Sequence, residues 1–298
     1  MIAGKVGHAE FSNSRIRSIV GSKLNGTVMA NRPSRSQIEE ASKIASAFSA
    51  FTLKVARPFF WHIGANRRGV PRGATAFLLK FERRSFAVTA DHALEEYLAA
   101  LESDNRMVCQ LGEVMVQPQR SIIARSDRLD IATFEIDPSL IAGFEGNIID
   151  CTGEGWPPFD VEEGDTISAT SFFDEQREKY GPRHYTMNAW GAHGVAEVVT
   201  EKDIYTMYEP DRVHQIRSDV PIPPLGLSMS GCSGGPAFLI KTIRGLLRWI
   251  PVGLIHKGPI GKAAEGELAG LDRIHIRRIH YLNSDGTIKE PDSGWLPR

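Results

Sequence analysis

The pattern of apolar and polar positions divides the chain into a short N-terminal part and a long remainder. Residues 1–34 are rich in Ser, Asn, Gly and basic side chains and show no sustained periodicity, which is typical of a loosely attached arm. Next, Ser36 and Glu39 form a capping box, and apolar residues recur at helical spacing over residues 38–51. The sequence therefore predicts an arm and an amphipathic helix over residues 1–57, with the apolar stripe of the helix packed on the rest of the protein.

Beyond this helix the pattern changes to short apolar or alternating runs separated by turns rich in Gly, Pro and Asp, which is typical of an all-β protein. Residues 137–163 carry few strand signals and are interpreted as the connection between two halves, 58–150 and 151–298. The highly charged stretch 174–183 predicts a solvated loop. The predicted strands are 74–81, 85–90, 106–111, 131–136, 166–172, 194–199, 237–241 and 251–256.

Composition and charge narrow the classes of partner. The 298 residues include 35 Lys plus Arg and 36 Asp plus Glu, and basic residues cluster only in short pairs, so no nucleic-acid partner is expected. No apolar run approaches the ~20 residues that span a bilayer, and the N-terminal residues lack the apolar segment of a secretory signal. The sequence therefore predicts a cytoplasmic protein with no membrane partner. The odd set of Cys109, Cys151 and Cys232 has no zinc-binding spacing and predicts reduced, structural thiols.

The sharpest chemical signal is a glycine-rich segment, SGCSGGP, at residues 230–236. Its glycines would let a substrate approach Ser233 and let successive N–H groups point at one spot. A serine hydroxyl attacks only when an imidazole takes its proton, and the imidazole needs a carboxylate to hold its tautomer. His92 follows the apolar run 86–90 at the tip of a predicted turn, and Asp130 directly precedes a predicted strand. These three residues are the candidate catalytic group.

The blocks around these residues resemble the trypsin/chymotrypsin family of serine proteases. The segments TADH ending at His92, DIA starting at Asp130 and GCSGGP around Ser233 look like three blocks of that family, in its His, Asp, Ser order. A fourth segment, PVGLIHKG at 251–258, is similar to the strand that lines the primary specificity pocket. The resemblance covers residues 58–285.

This resemblance implies a chymotrypsin-like double six-stranded β-barrel with an extra N-terminal helix. The first barrel, 58–150, would carry His92 and Asp130, and the second, 151–298, would carry Ser233 and a C-terminal extension. The implied activity is that of a serine endopeptidase acting on a polypeptide through an acyl-enzyme intermediate, with no metal or organic cofactor.

The resemblance also implies a role for each site residue. Ser233 would attack the scissile carbonyl, His92 would move the proton, and Asp130 would orient His92. The backbone N–H groups of Gly231 and Ser233 would form the oxyanion hole. The residues expected to line the substrate pocket are Leu227, Ser228, Ile255, His256, Lys257 and Gly258.

Some residues depart from the family's pattern. Cys232 stands where trypsin-type enzymes have the aspartate that pairs with a newly cut N-terminal amine, so activation by that salt bridge is not expected. Leu227 replaces the acid that selects Lys or Arg, which favours an apolar pocket floor. An ungapped alignment puts His256 one position beyond the histidine that contacts substrate in glutamate- and glutamine-selecting relatives, so its side chain is expected to face the other way. Asp91 and Asp127 are interpreted as turn residues.

Two other readings stay open. The segment around Ser233 also satisfies the Gly-x-Ser-x-Gly elbow of α/β-hydrolases, although Pro236 and a strand-like run follow it where that fold needs a helix. Alternatively, a protein with the family's fold could act only as a binding module. Within the serine-protease hypothesis, Cys232 is an alternative candidate for the nucleophile. The N-terminal arm or a regulatory protein partner could restrain the activity, and the sequence does not indicate an oligomeric state.

Overall fold

The structure is a computed structural model in which most residues after position 50 are described. The described residues are 4–6, 9–10, 51–63, 71–144, 146–153, 155–157, 159–179, 185–207, 214–215, 229–258 and 273–290. Most of the predicted helix at 36–55, and pocket residues Leu227 and Ser228, therefore lie outside the described residues. Among the described residues, no helix is long and apolar enough to cross a bilayer.

The described elements are mostly strands, numbered here along the chain, with one helix longer than three turns, α1 (Asp91–Ser103). The strands are β1 (Gly4–Val6), β2 (Ala9–Glu10), β3 (Ala56–Ile63), β4 (Arg72–Lys80), β5 (Ser85–Thr89), β6 (Met107–Leu111), β7 (Val114–Val116), β8 (Ile122–Ser126), β9 (Ile131–Glu135), β10 (Ile149–Asp150), β11 (Thr166–Lys179), β12 (Tyr185–Val195), β13 (Val198–Val199), β14 (Asp203–Met207), β15 (His214–Gln215), β16 (Pro236–Ile243), β17 (Leu246–Lys257) and β18 (Arg273–Arg278).

Two large, curled sheets contain nearly all of these strands. The first has the antiparallel order β7-β6-β3-β4-β5-β9-β8, with β10 added parallel to β4. The second has the order β1-β12-β11-β16-β17-β18-β14-β13, in which only β1 pairs in parallel. The predicted all-β, chymotrypsin-like double-barrel class is confirmed. Each sheet has eight strands in the described part of the chain, because short strands such as β1 and β10 extend it beyond the six predicted.

Apolar side chains build a core under each sheet. In the first, Phe59, Phe77 and Phe134 are completely buried, and each such side chain contributes about 1.5–3 kcal/mol relative to an exposed one. Phe238 and Leu254 of the second sheet pack into the same core. The two sheets are therefore joined by apolar packing as well as by the chain.

Local differences from the sequence prediction follow from tertiary contacts. Residues 174–179 belong to strand β11, so the loop predicted at 174–183 is wrong there; the strand resumes pairing after a bulge between Phe172 and Arg177. The turn predicted at His92 is the first turn of α1. Residues 51–55 are helical and lead into β3, and the Phe51 ring contacts that of Phe238. The boundary predicted between the two halves stays a prediction.

Candidate active site

His92 is the second residue of α1, immediately after the buried strand β5. Asp91, which begins the helix, has a carboxylate suited to the positive end of the helix dipole. It is buried and pairs with Arg125, whose Nε lies 2.6 Å from Asp91 Oδ1. The interpretation of Asp91 as a turn residue is therefore wrong, because it anchors the helix that carries His92 to strand β8.

Asp130 lies in the turn that leads into β9 and faces His92. Its backbone φ of 53° is left-handed, a conformation that Asp tolerates better than most residues. His92 Nδ1 lies 2.9 Å from each carboxylate oxygen, and the backbone N–H of His92 donates to Oδ1 at 3.1 Å. A carboxylate only accepts, so Nδ1 carries the proton and Nε2 keeps its lone pair.

These contacts shift the pKa of both groups. The hydrogen bond that His92 donates to Asp130 raises the pKa of His92 above its usual value, and the nearby charges of Glu96 and Asp91 add to this effect. Burial by itself would raise the pKa of Asp130, but hydrogen bonding and the charge of His92 outweigh it, and the net shift is downward. Asp130 is therefore ionised at neutral pH, as a group that orients an imidazole must be.

Ser233 lies in a glycine-rich turn between Met229 and strand β16. Gly231 and Gly234 have φ values of 90° and 87°, which few side chains permit. A Cβ on Gly231 would also lie 2.7 Å from the carbonyl oxygen of Phe172. The two glycines are required because the loop is both left-handed and pressed against its neighbours.

This loop is docked on the strands that lead to His92. The Ser233 carbonyl accepts a 2.8 Å hydrogen bond from the backbone N–H of Thr75 in β4. A Cβ on Gly234 would meet the Thr75 carbonyl, the Thr89 hydroxyl and the backbone of Ala90, two residues before His92. Ser233 therefore lies near the His92–Asp130 pair. Among the described residues, the hydrogen bonds of Ser233 are made by its backbone and not by its hydroxyl.

The N–H groups of the loop differ in whether a backbone carbonyl accepts from them. The N–H of Cys232 donates to Met229, that of Gly234 to Ile255 and that of Gly235 to Cys232. The N–H groups of Gly231 and Ser233 have no backbone acceptor among the described residues. They are the two donors that the sequence predicts for an oxyanion hole.

A partly buried ion pair holds the loop from the side of β11. The N–H of Asp174 donates to the Ser230 carbonyl at 2.9 Å, and the Ser230 hydroxyl donates to the Asp174 carboxylate at 3.0 Å. Arg177, nearly inaccessible, donates to the same carboxylate at 2.6 Å. Since C=O and N–H point in opposite directions across a trans peptide, fixing the Ser230 carbonyl also fixes the direction of the Gly231 N–H.

Thr75 links the two sheets at this point. Its fully buried hydroxyl donates to the Gly231 carbonyl at 2.9 Å and accepts from the Phe172 N–H at 3.1 Å. A single hydroxyl can do both because it carries one proton and two lone pairs. Without this side chain, the two buried backbone groups would lose the hydrogen bonds that it makes to them.

We expect Thr75→Val to lower the free energy of unfolding by about 2–4 kcal/mol, because two buried backbone groups lose their partner. Thr75→Ser, which keeps the hydroxyl and loses only a methyl group, is the matched control. Urea denaturation of both variants measures the difference. Equal stability of the Val and Ser variants would show that the hydroxyl contributes nothing.

The remaining predicted pocket residues lie at the end of β17 or directly after it, in different environments. Ile255 is completely buried in the second core, Lys257 is exposed, and Gly258 packs against the side chain of Met229. His256 is buried with Nδ1 3.8 Å from Asp130, facing the carboxylate of the candidate group. Leu227 and Ser228 lie outside the described residues.

The structure argues against two of the alternative hypotheses. The strand Pro236–Ile243 follows Ser233 at the point where an α/β-hydrolase needs a helix. Cys232 is completely buried in the second core, and burial raises the pKa of its thiol. A thiol that is buried and protonated is a poor nucleophile.

The sequence prediction also missed two contacts beside the His92–Asp130 pair. Helix α1 itself has a sequence signal, the helical spacing of Leu94, Leu98 and Leu101, but the Asp91–Arg125 pair has none. The contact of His256 with Asp130 has no local sequence signal, because it depends on how β17 lies against the first sheet.

No protein-family model and no curated protein sequence matches the chain. Solved structures similar to it include the thermostable serine protease AL20 from an extremophilic microorganism, at 15% identity and a TM-score of 0.36, covering 76% of this chain and 90% of that one. Protease Anisep from Arthrobacter nicotinovorans has 12% identity and a TM-score of 0.37, covering 76% and 89%. A structure concerned with the coupled folding and binding of the Sesbania mosaic virus VPg protein has 13% identity and a TM-score of 0.36, covering 78% and 97%. Identities and TM-scores as low as these do not assign a function to this chain.

Proposed function

We propose that the protein is a serine endopeptidase in which Ser233, His92 and Asp130 act together. The observation that carries the proposal is the pair of 2.9 Å contacts from His92 Nδ1 to Asp130, beside a loop that holds a serine between left-handed glycines. An exposed imidazole that is oriented by a carboxylate has the properties of a general base.

In the proposed reaction, Ser233 Oγ forms a bond to the scissile carbonyl carbon while His92 Nε2 takes the hydroxyl proton. When the tetrahedral intermediate collapses, the C–N bond breaks and His92 gives its proton to the leaving amine. A water molecule then attacks the acyl-enzyme, with His92 again as base, and Ser233 is released. Asp130 stays ionised throughout and stabilises the imidazolium form of His92.

The N–H groups of Gly231 and Ser233 are the proposed oxyanion donors. Their assignment is supported by the intramolecular bonds that occupy the N–H groups of Cys232, Gly234 and Gly235 and by the Asp174 contact that holds Ser230. Losing one such donor typically costs about 3 kcal/mol of transition-state stabilisation, on the order of 10²-fold in rate.

We also propose a preference for small or apolar substrate side chains. The side chain of Met229 fills the space against Gly258, so the wall that the sequence assigns to the pocket is apolar and crowded. Cleavage-site profiling on a peptide library tests this preference, and a dominant cleavage after Lys, Arg or Glu would contradict it.

A fluorophosphonate probe tests the activity itself. The proposal expects covalent labelling of the wild-type protein, with the modified peptide mapped by mass spectrometry to Ser233. Labelling at Cys232 would support the thiol hypothesis instead. Folded protein that neither labels nor cleaves any peptide would favour a binding module.

The rate of labelling should rise with pH and level off above the pKa of His92. Only the neutral imidazole can take the serine proton, and the Asp130 hydrogen bond raises that pKa. The midpoint should therefore lie above the ordinary histidine value of about 6.5. A pH series of labelling rates measures it, and a midpoint below that value would contradict the assignment of His92 as base.

A further inference from the structure

Asp130 has a second imidazole behind it. His256 Nδ1 lies 3.8 Å from Asp130 Oδ2, and its side chain is 6% exposed, against 45% for His92. The carboxylate is thus flanked by the exposed His92 on one side and by the buried His256 on the other.

The far side of His256 faces an ion pair. Its Nε2 lies 3.3 Å from Asp203 Oδ1, and Arg277 Nε lies 3.3 Å from the same oxygen. Asp203 and Arg277 are paired residues of the neighbouring strands β14 and β18. Burial by itself would raise the pKa of Asp203, but His256 and Arg277 outweigh it and the net shift is downward, so a fixed negative charge faces His256.

Other charged or titratable groups border this cluster. The His275 ring lies 6.0 Å from that of His256 and 4.7 Å from that of Tyr205, between centroids. Lys257 and Arg273 also act electrostatically on His275. Within this cluster, the recorded contact with Asp130 is that of His256, at 3.8 Å.

Packing needs do not explain this cluster. Replacing a buried ionic group by apolar residues of similar volume is often neutral or stabilising, because desolvation offsets the attraction between the charges. Both ring nitrogens of His256 lie within ion-pair distance of a carboxylate oxygen. The arrangement therefore connects Asp130 to a rigid pair of strands in the second sheet.

We propose that His256, held by Asp203 and Arg277, is a positioning residue that fixes the Asp130 carboxylate in the orientation that His92 requires. This inference rests on the proposed peptidase function for its catalytic consequence. A carboxylate restrained from behind keeps both oxygens toward His92 Nδ1 as the imidazole becomes charged, so the proton transfer needs less reorganisation.

Three substitutions of His256 separate positioning from stability. The amide nitrogen in His256→Asn stands near the place of Nδ1 and can contact Asp130, while the longer side chain in His256→Gln puts it near the place of Nε2, beside Asp203. His256→Leu places no polar atom at either position. We expect the Leu and Gln variants to lose about 10- to 100-fold in kcat with little change in KM, by analogy with the loss seen when the hydrogen-bond partner of a metal-bound histidine is removed. The Asn variant should retain most of kcat.

A neighbouring pair of arginines provides a matched control. Arg277→Gln should lower kcat in the same direction as His256→Leu. Arg278 pairs instead with Asp160 at 2.8 Å, so Arg278→Gln should leave kcat unchanged. Equal effects of the two arginine substitutions would overturn the role of Arg277 in this arrangement.

Titration of His92, followed by NMR in the Ser233→Ala background, decides the inference without any need for activity. In His256→Leu, the His92 pKa should fall towards the ordinary value of about 6.5, and in His256→Asn it should stay near that of the parent. An unchanged His92 titration in the Leu variant overturns the inference. Complete absence of cleavage and labelling in the wild-type protein would instead overturn the proposed function, and the titration would still judge the role of His256.

Discussion

Replacing Ser233 with alanine should lower kcat for peptide hydrolysis by about 10⁶-fold, the size of loss expected when the nucleophile of a cooperating catalytic group is removed. The substitution removes the oxygen that forms the acyl-enzyme, while the Gly231 and Gly234 backbone that shapes the loop remains. Folding should be preserved, because the Ser233 contact to Thr75 is made by the backbone carbonyl. Single-turnover and steady-state assays on a peptide found by library profiling measure the loss.

The combination of Ser233→Ala with His92→Ala gives a stricter test. If the two side chains act as one unit, the double variant should be no slower than either single variant, because the residual rate comes from binding and backbone donors alone. Additive losses would mean that His92 does not serve Ser233. The exposed Ser139 is the matched control, and Ser139→Ala should retain wild-type activity.

Asp130→Asn should reduce kcat by about 10⁴-fold near neutral pH. The amide has nearly the same shape as the carboxylate, but its nitrogen is a donor. A donor facing His92 Nδ1 favours the tautomer with the proton on Nε2, so His92 can no longer take the Ser233 proton. Kinetics at several pH values, with the His92 titration followed by NMR, measure both the loss and its cause.

The neighbouring Asp127 supplies the control for Asp130. It is exposed and its carboxylate accepts from the backbone N–H of Arg128, so Asp127→Asn should leave kcat within about a factor of two, as is usual for surface substitutions. A wild-type rate in Asp130→Asn, or an equal loss in both variants, would contradict the role given to Asp130.

Some of the site could be predicted because its signals are local. The glycines around Ser233 are needed by a loop with φ values of 90° and 87°, and only a few residue types accept such angles. Asp130 was recognisable because it directly precedes a strand of buried apolar residues. Such constraints act within a few residues, so they appear in the sequence itself.

Other parts were missed or misread for different reasons. Residues 174–183 were interpreted as a loop because they are highly charged. In the structure, Asp174 and Arg177 form an ion pair at a bulge of β11. The charged residues 174–179 therefore lie within a strand. Asp91 was read as a turn residue because its partner, Arg125, is 34 positions away. The pairing could not be seen before helix α1 and strand β8, which carry the two residues, were placed.

The sequence by itself determined the all-β class, the alternation of strands and turns, and the residue types of the candidate catalytic group, since periodicity and glycine placement are properties of neighbouring residues. Only the tertiary structure decided that His92 begins a helix, that Thr75 and Asp174 hold the loop of Ser233, and that His256 lies behind Asp130. Such contacts join residues that are far apart in the chain: His92 and Asp130 are separated by 38 positions, and Thr75 and Gly231 by 156. They depend on strand register and on the packing of one sheet against the other, which no short stretch of chain specifies.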